Sequence, residues 1–185
     1  MTDQAFQEAS RTVLGEITRA LAQVDPDEIA ALEEAVFSAQ AVFVVGAGRS
    51  GLVGRCLAMR LMHLGLHAHV VGETVTPPVG PGDLVIAISG SGETPTTLAA
   101  AQAAGSAGAK MTAITAAADT PLTRAADGKV VIPTGTGASG VSSSQYGGSL
   151  FEQALMVMFD TIALRLQHRL AETPERMDQR HANLE

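Results

Sequence analysis

Several residue types that build stable sites are scarce in this sequence, and each scarcity excludes a class of structure. A single cysteine, Cys56, excludes an intrachain disulfide and a cysteine-based zinc cage, and its apolar helical surroundings are typical of a small core residue. Tryptophan is absent and tyrosine occurs once, whereas 19 glycines and many alanines favour helices packed closely against a sheet. His67, His69 and His168 show no metal-ligand spacing with a carboxylate partner, so we expect no bound metal.

The sequence also has few basic residues and lacks long apolar runs. The chain has 12 Lys and Arg against 19 Asp and Glu, a formal net charge of -7, and its basic residues are scattered. Such a chain would not be attracted to nucleic acid or to an anionic membrane, so we expect neither as a partner. No apolar run approaches the ~20 residues of a membrane span, and MTDQAFQEAS lacks the pattern of a signal peptide. We therefore expect a cytoplasmic globular protein.

The period of the apolar residues changes along the chain and predicts its organisation. Helical spacing over 1–40 predicts N-terminal helices, and five short apolar runs then alternate with helical segments over 41–133. The predicted strands are 41–46, 67–72, 84–89, 110–115 and 129–133. This alternation predicts a single domain, a three-layer αβα fold with a five-stranded parallel sheet of flavodoxin-like or Rossmann-like type. A Gly/Ser loop (134–148), a long helix (149–171) and a polar tail (172–185) complete the chain.

The first loop whose residues suggest ligand binding is GAGRSG (46–51), which follows a predicted strand and opens a helix. It fits G-x-G-x-x-G, the pattern of a dinucleotide-binding turn, and Glu73 lies roughly where such a fold carries its acidic residue. The alternative is that the glycines serve only a tight turn between strand and helix. The residues of this loop leave both interpretations open.

The second loop is SGSGET (89–94), at the end of the third predicted strand. Its glycines let the backbone approach a ligand, while Ser89, Ser91 and Thr94 offer hydroxyl groups. A helix begins directly afterwards, and its N–H groups and positive dipole end favour an anion. The pattern favours a compact phosphate monoester over its alternative, an ordinary Ser/Thr-rich helix cap.

Together these segments carry a resemblance. AGRSG, then ISGSGET on the third strand, then a later helix opening with FE resembles the sugar isomerase (SIS) domain family. Longer segments resemble its 6-phospho-3-hexuloisomerase branch: GAGRSGLVGRCLAMRLMHLG, VVGETVTPP, GGSLFEQAL and RHANLE. That branch interconverts D-arabino-hex-3-ulose 6-phosphate and D-fructose 6-phosphate through a 2,3-enediol(ate), in formaldehyde assimilation by the ribulose monophosphate pathway. The resemblance implies a sugar-phosphate substrate, no cofactor, a homo-oligomer that is typically a tetramer, and 3-hexulose-6-phosphate synthase as pathway partner.

The resemblance also implies how substrate is bound. The phosphate is expected on Ser89, Ser91 and Thr94, with Ser50 contributing from the first loop. Arg49 would hold the phosphate or a sugar hydroxyl, or else is a surface charge at a loop. No role is transferred to the loop 134–147.

Catalytic roles follow from the same resemblance. Glu152, in the FE pair, is the expected base that moves the proton between neighbouring carbons, and Glu73, also expected at the substrate, is next in line. His63 and His181 are candidates for protonating substrate oxygens. Each has an alternative: Glu152 as a helix-start acid, His63 as a core or helix-end histidine, and His181 as a solvated tail residue. The tail could also reach the cleft of a neighbouring subunit.

Three other functions compete with the favoured one. A related SIS isomerase could act on an arabinose 5-phosphate or a heptose phosphate, and would differ at the substrate wall. A non-catalytic sugar-phosphate sensor is weaker, because no effector module accompanies the domain. A dinucleotide oxidoreductase depends on the first loop alone.

Overall fold

The computed structural model describes residues 3–135 and 140–184. Five parallel strands form one sheet in the order β2-β1-β3-β4-β5. The strands are β1 (Val42–Gly46), β2 (Ala68–Val70), β3 (Leu84–Ile88), β4 (Lys110–Thr115) and β5 (Gly128–Val131). The helices are α1 (Asp3–Leu21), α2 (Pro26–Ser38), α3 (Gly48–His63), α4 (Pro95–Ser106), α5 (Pro121–Ala125), α6 (Ser149–Leu170) and α7 (Pro174–Asp178).

Both faces of the sheet are buried, which explains the continuous apolar runs of its strands. Because strand side chains alternate in direction, Val42 and Val44 pack on one face with α1, α2, α3 and α6. Phe43 and Val45 pack on the other face with α4 and α5. The expected three-layer αβα fold with a five-stranded parallel sheet is thereby confirmed.

The strand order reverses between β1 and β3, and this reversal positions the two candidate loops. After β1 the chain passes through α3 to β2 on one side, and after β3 it passes through α4 to β4 on the other. The loops leaving the carboxyl ends of β1 and β3 therefore diverge to opposite faces and leave a crevice between them. GAGRSG and SGSGET border this crevice.

Two short helices differ from the sequence expectations. Neither α5 nor α7 was predicted, because five residues are too few to show helical periodicity. Each nevertheless begins with a threonine N-cap followed by proline, at Thr120-Pro121 and Thr173-Pro174, a start signal that the sequence offers. Part of the predicted Gly/Ser loop, 136–139, lies outside the described residues. Among the helices described, none has the length and apolarity needed to cross a membrane.

Candidate active site

The glycines of the first loop are required by its turn. A Cβ atom on Gly51 would collide with the carbonyl oxygen of Gly46, and Gly48 has a φ of 57°, which favours glycine. The turn brings Arg49 and Ser50 into the first turn of α3, at the carboxyl edge of the sheet. These contacts account for the glycine pattern without a dinucleotide.

The second loop is organised around the hydroxyl of Ser89. This buried Oγ atom lies 2.8 Å from Thr94 Oγ1 and 3.4 Å from Ser91 Oγ, and it accepts the N–H of Gly92 at 3.0 Å. Gly92 has a φ of 66°, and a Cβ atom there would collide with the side chain of Thr120. The three predicted hydroxyls are therefore brought together beside the start of α4, where anions are favoured.

Glu152 lies in the first turn of α6 and pairs with the first loop. Its Oε2 atom is 2.6 Å from Arg49 Nε, and its side chain is 14% exposed. The backbone N–H of Glu152 donates to the carbonyl of Gly148 at 3.1 Å, which fixes the start of the helix. The ion pair joins α3 to α6 at the carboxyl edge of the sheet.

One cavity of about 500 Å³ receives these groups. Its lining includes Ser50, Ser91 and Glu152, one residue from each of the three predicted segments. The size falls within the ≈300–1,000 Å³ typical of small-molecule sites. Ser143 and Gln145, from the Gly/Ser loop, also line it. No role was assigned to these two residues from the sequence. The feature that could have indicated one is the length and Gly/Ser composition of their loop.

Three other predicted site residues lie elsewhere in the same chain. His63 ends α3, so the rise of 1.5 Å per residue separates it from Ser50 by about 20 Å along the helix. His63 stacks on His181, with ring centroids 5.2 Å apart. Glu73 pairs with Arg55, also of α3, outside the cavity that Glu152 lines. Within one chain, the structure separates these three residues from Glu152.

The His63–His181 stack is held by the C-terminal segment. Arg180 donates to the carbonyl of His63 at 2.9 Å and pairs with Glu172 at 3.1 Å. These contacts dock the polar tail on the end of α3. The His181 ring is exposed, and the His63 ring is buried behind it.

Acidification is expected to destabilise the fold through His63. Burial lowers the pKa of His63 below its ordinary 6.5, and His181 and Arg60 lower it further, whereas Asp178 raises it. The unfolded chain therefore binds the proton first, and stability falls as the pH drops from 6.5 toward the lowered pKa. Urea unfolding at about pH 8 and about pH 5.5 should show a loss that His63→Asn reduces.

The control is His168→Asn, which replaces an exposed histidine near the end of α6. It should retain the wild-type loss of stability between the two pH values. An identical loss in the His63 variant would contradict the assignment.

Fold and cavity together define a class of protein. A doubly wound α/β domain carries a hydroxyl-rich loop and a carboxylate in one cavity at the switch point of its sheet. The SIS domain model matches residues 36–157, and the chain belongs to the SIS domain family.

Relatives and solved structures extend this comparison. A Mycobacterium gastri protein named 3-hexulose-6-phosphate isomerase is 44% identical, over 94% of this chain and 88% of its own. A Bacillus subtilis protein of the same name is 38% identical, over 94% of this chain and 95% of its own. A Methanococcus jannaschii crystal structure, from which that same molecular function was inferred, aligns with a TM-score of 0.84 and 32% identity. The alignment covers 96% of this chain and 99% of that one.

Proposed function

We propose that this chain is a ketose-phosphate isomerase that interconverts D-arabino-hex-3-ulose 6-phosphate and D-fructose 6-phosphate. The observation that carries the proposal is the cavity itself, in which the carboxylate of Glu152 and the hydroxyl-bearing loops after β1 and β3 meet. An anchored phosphate and one base are what movement of a carbonyl to the neighbouring carbon requires. The identities of 44% and 38% to proteins named 3-hexulose-6-phosphate isomerase support this substrate.

The phosphate is proposed to bind at the SGSGET loop. Ser91 is exposed to the cavity and would donate its hydroxyl to the phosphate, joined by Ser50 from the first loop. Ser89 and Thr94, which bond each other at 2.8 Å, would complete the hydroxyl cluster. The start of α4 adds a favourable dipole for the same anion.

Glu152 is proposed as the base. It takes the proton from C2 of the 3-ketose, and the released electron pair forms the C2–C3 double bond while the C3 carbonyl oxygen accepts the negative charge. Return of the proton to C3, with the carbonyl re-formed at C2, gives the 2-ketose. The contact with Arg49 at 2.6 Å would orient the carboxylate and place a cation beside the developing enediolate.

The oxygen atoms also exchange a proton in this reaction, and we propose that His63 and His181 contribute to that exchange in a neighbouring subunit. Their separation from Glu152 within one chain supports an arrangement across a subunit contact. Exposed apolar side chains on and after α3, which suit burial against another copy, are Leu52, Met59, Met62 and Val75. The same arrangement would bring Glu73 to a subunit contact. A homotetramer in the cytoplasm is our proposal for the assembly.

A coupled assay tests the function. Hexulose 6-phosphate is generated from formaldehyde and ribulose 5-phosphate by 3-hexulose-6-phosphate synthase, and fructose 6-phosphate is followed through phosphoglucose isomerase and glucose-6-phosphate dehydrogenase. We expect turnover by isomerase pretreated with a chelator and freed of it by gel filtration, with no metal added. A flat trace from folded protein would overturn the substrate assignment, and arabinose 5-phosphate and heptose phosphates would be assayed next.

A further inference from the structure

A carboxylate outside the α/β core holds one wall of the cavity. Glu16, on α1, is 3% exposed, and every hydrogen bond to its side chain comes from the Gly/Ser loop in the part of the chain that the structure describes. Ser143 Oγ donates at 2.6 Å, Ser144 donates its N–H at 2.9 Å and its hydroxyl at 2.8 Å, and Gln145 Nε2 donates at 3.0 Å. These bonds lower the pKa of Glu16 to about 2, so the group is anionic at neutral pH.

The same loop residues are tied to the helix that carries the proposed base. The side-chain amides of Gln145 and Gln153 exchange two hydrogen bonds, at 2.9 and 2.8 Å. Gln153 directly follows Glu152 on α6. The loop is therefore fixed between α1 on one side and the start of α6 on the other.

The side-chain hydrogen-bond donors of Ser143 and Gln145 are already used in hydrogen bonds within the protein. Gln145 uses both hydrogens of its amide, one on Glu16 and one on Gln153, and its oxygen accepts from Gln153. Ser143 gives its hydroxyl hydrogen to Glu16 and accepts the N–H of Gln145 at 3.0 Å. Ser143 and Gln145 therefore present a fixed shape to the cavity, which makes the wall dependent on the carboxylate that holds it.

We propose that Glu16 is a positioning residue, which sets the shape of the substrate cavity by holding Ser143 and Gln145 in the wall. The inference deepens the proposed function and rests on it for the identity of the substrate. Glu16 lies outside residues 36–157, the part that matches the SIS domain model, so this wall depends on a part of the chain beyond the matched domain. A Gly/Ser-rich loop loses much conformational entropy when ordered, and one anionic acceptor with four donors offsets that loss.

Glu16→Gln tests the proposal. An amide of the same size keeps one acceptor oxygen but turns a donor toward loop groups that are themselves donors. We expect KM for hexulose 6-phosphate to rise about tenfold or more, with a smaller fall in kcat, at a temperature well below unfolding. Hydrogen exchange of loop residues 140–148 should accelerate by a similar factor, since the Ser144 N–H loses its anionic acceptor.

The matched control is Glu33→Gln. Glu33 is also a buried N-terminal glutamate, but it binds Arg165 of α6, at 2.5 and 3.0 Å, and makes no hydrogen bond or ion pair with the described residues of the loop. This control should lower the unfolding temperature while leaving KM and loop exchange unchanged. Equal changes in both variants would reduce Glu16 to a general stabilising residue and overturn the proposal.

A second variant decides the question if Glu16→Gln fails to fold. Ser144→Ala removes one donor to Glu16 from a residue outside the cavity lining, so a rise in KM would support the proposal and a wild-type KM would overturn it. If the wild-type protein does not turn over hexulose 6-phosphate, the proposed function fails. Hydrogen exchange of the loop can be measured without substrate, so it tests the positioning role separately from the proposed function. Unchanged hydrogen exchange in Glu16→Gln, or in Ser144→Ala when Glu16→Gln does not fold, would overturn the positioning role by itself.

Discussion

Replacing Glu152 by Gln is expected to lower kcat by about 10²–10⁴-fold, the usual contribution of a positioned general base. In the wild-type chain Arg49 Nε lies 2.6 Å from Glu152 Oε2. The amide keeps the size of the side chain and an oxygen that Arg49 can contact, but it cannot take the substrate proton. Fructose 6-phosphate should still bind with nearly wild-type affinity, because the phosphate loop after β3 is unchanged. Calorimetry would measure the dissociation constant, and the coupled assay would measure kcat.

Proton exchange gives an independent readout of the same prediction. In D₂O the wild-type enzyme should exchange the C3 proton of fructose 6-phosphate for deuterium, because the reverse reaction removes that proton. The Glu152→Gln variant should exchange it slower by the factor lost in kcat. NMR of the sugar phosphate would follow the C3 signal without any coupling enzyme.

Asp160→Asn is the matched control for Glu152→Gln. Asp160 lies on the same helix and pairs with Arg60 of α3 at 3.6 Å, as Glu152 pairs with Arg49 of α3. The control makes the same change from carboxylate to amide across the same helix pair, and should retain wild-type kcat. Full activity in Glu152→Gln would move the base elsewhere, with Glu73 the next residue to replace.

The periodic parts of the fold could be predicted from the sequence because burial imposes the pattern. Strands covered on both faces must be apolar throughout, and all five were predicted within two residues of their ends. The start of helix α2 is marked in the sequence by a capping aspartate, Asp25, whose side chain accepts the N–H of Asp27, and by Pro26 at the first helical position. The short helices α5 and α7 could not be found this way, since their stability depends on capping and docking.

The site was predictable only where a motif marks it. Ser50, Ser91 and Glu152 lie in strand-to-helix or loop-to-helix segments, and the parallel sheet brings such segments to one edge. Glu16 has no such mark, because it meets its partners 127 to 129 positions away and in sequence resembles any acid on an amphipathic helix. Contacts of this kind depend on how α1 packs on α6. That packing cannot be predicted from the amino-acid composition or from the spacing of apolar residues.

Ser89 and Ser91 have different environments in the loop that is proposed to bind the phosphate. Ser89 is buried, and its hydroxyl bonds Thr94 and the N–H of Gly92, so it braces the loop from inside. Ser91 is exposed to the cavity, and its main internal bond is a weaker one, from the N–H of Glu93 at 3.2 Å. Substituting these two serines should therefore have different consequences.

Ser91→Ala is expected to raise KM for hexulose 6-phosphate by about 10- to 100-fold, since a hydrogen bond to a charged group is worth about 1.5–3 kcal/mol. Its unfolding temperature should stay near the wild-type value. Ser89→Ala should weaken binding and also lower the unfolding temperature, because the loop loses its internal brace. Steady-state kinetics and thermal unfolding of both variants would separate the two roles.

Ser106→Ala controls for the loss of a serine hydroxyl near α4. Ser106 lies at the far end of that helix, where its hydroxyl donates to the carbonyl of Gln102 at 2.9 Å. Its kinetics should match the wild type. A wild-type KM in Ser91→Ala would show that its hydroxyl does not bind the phosphate. If Ser89→Ala also kept a wild-type KM, the anion would have to bind outside the SGSGET loop, because a phosphate held there could not tolerate the loss of both the exposed donor and the internal brace.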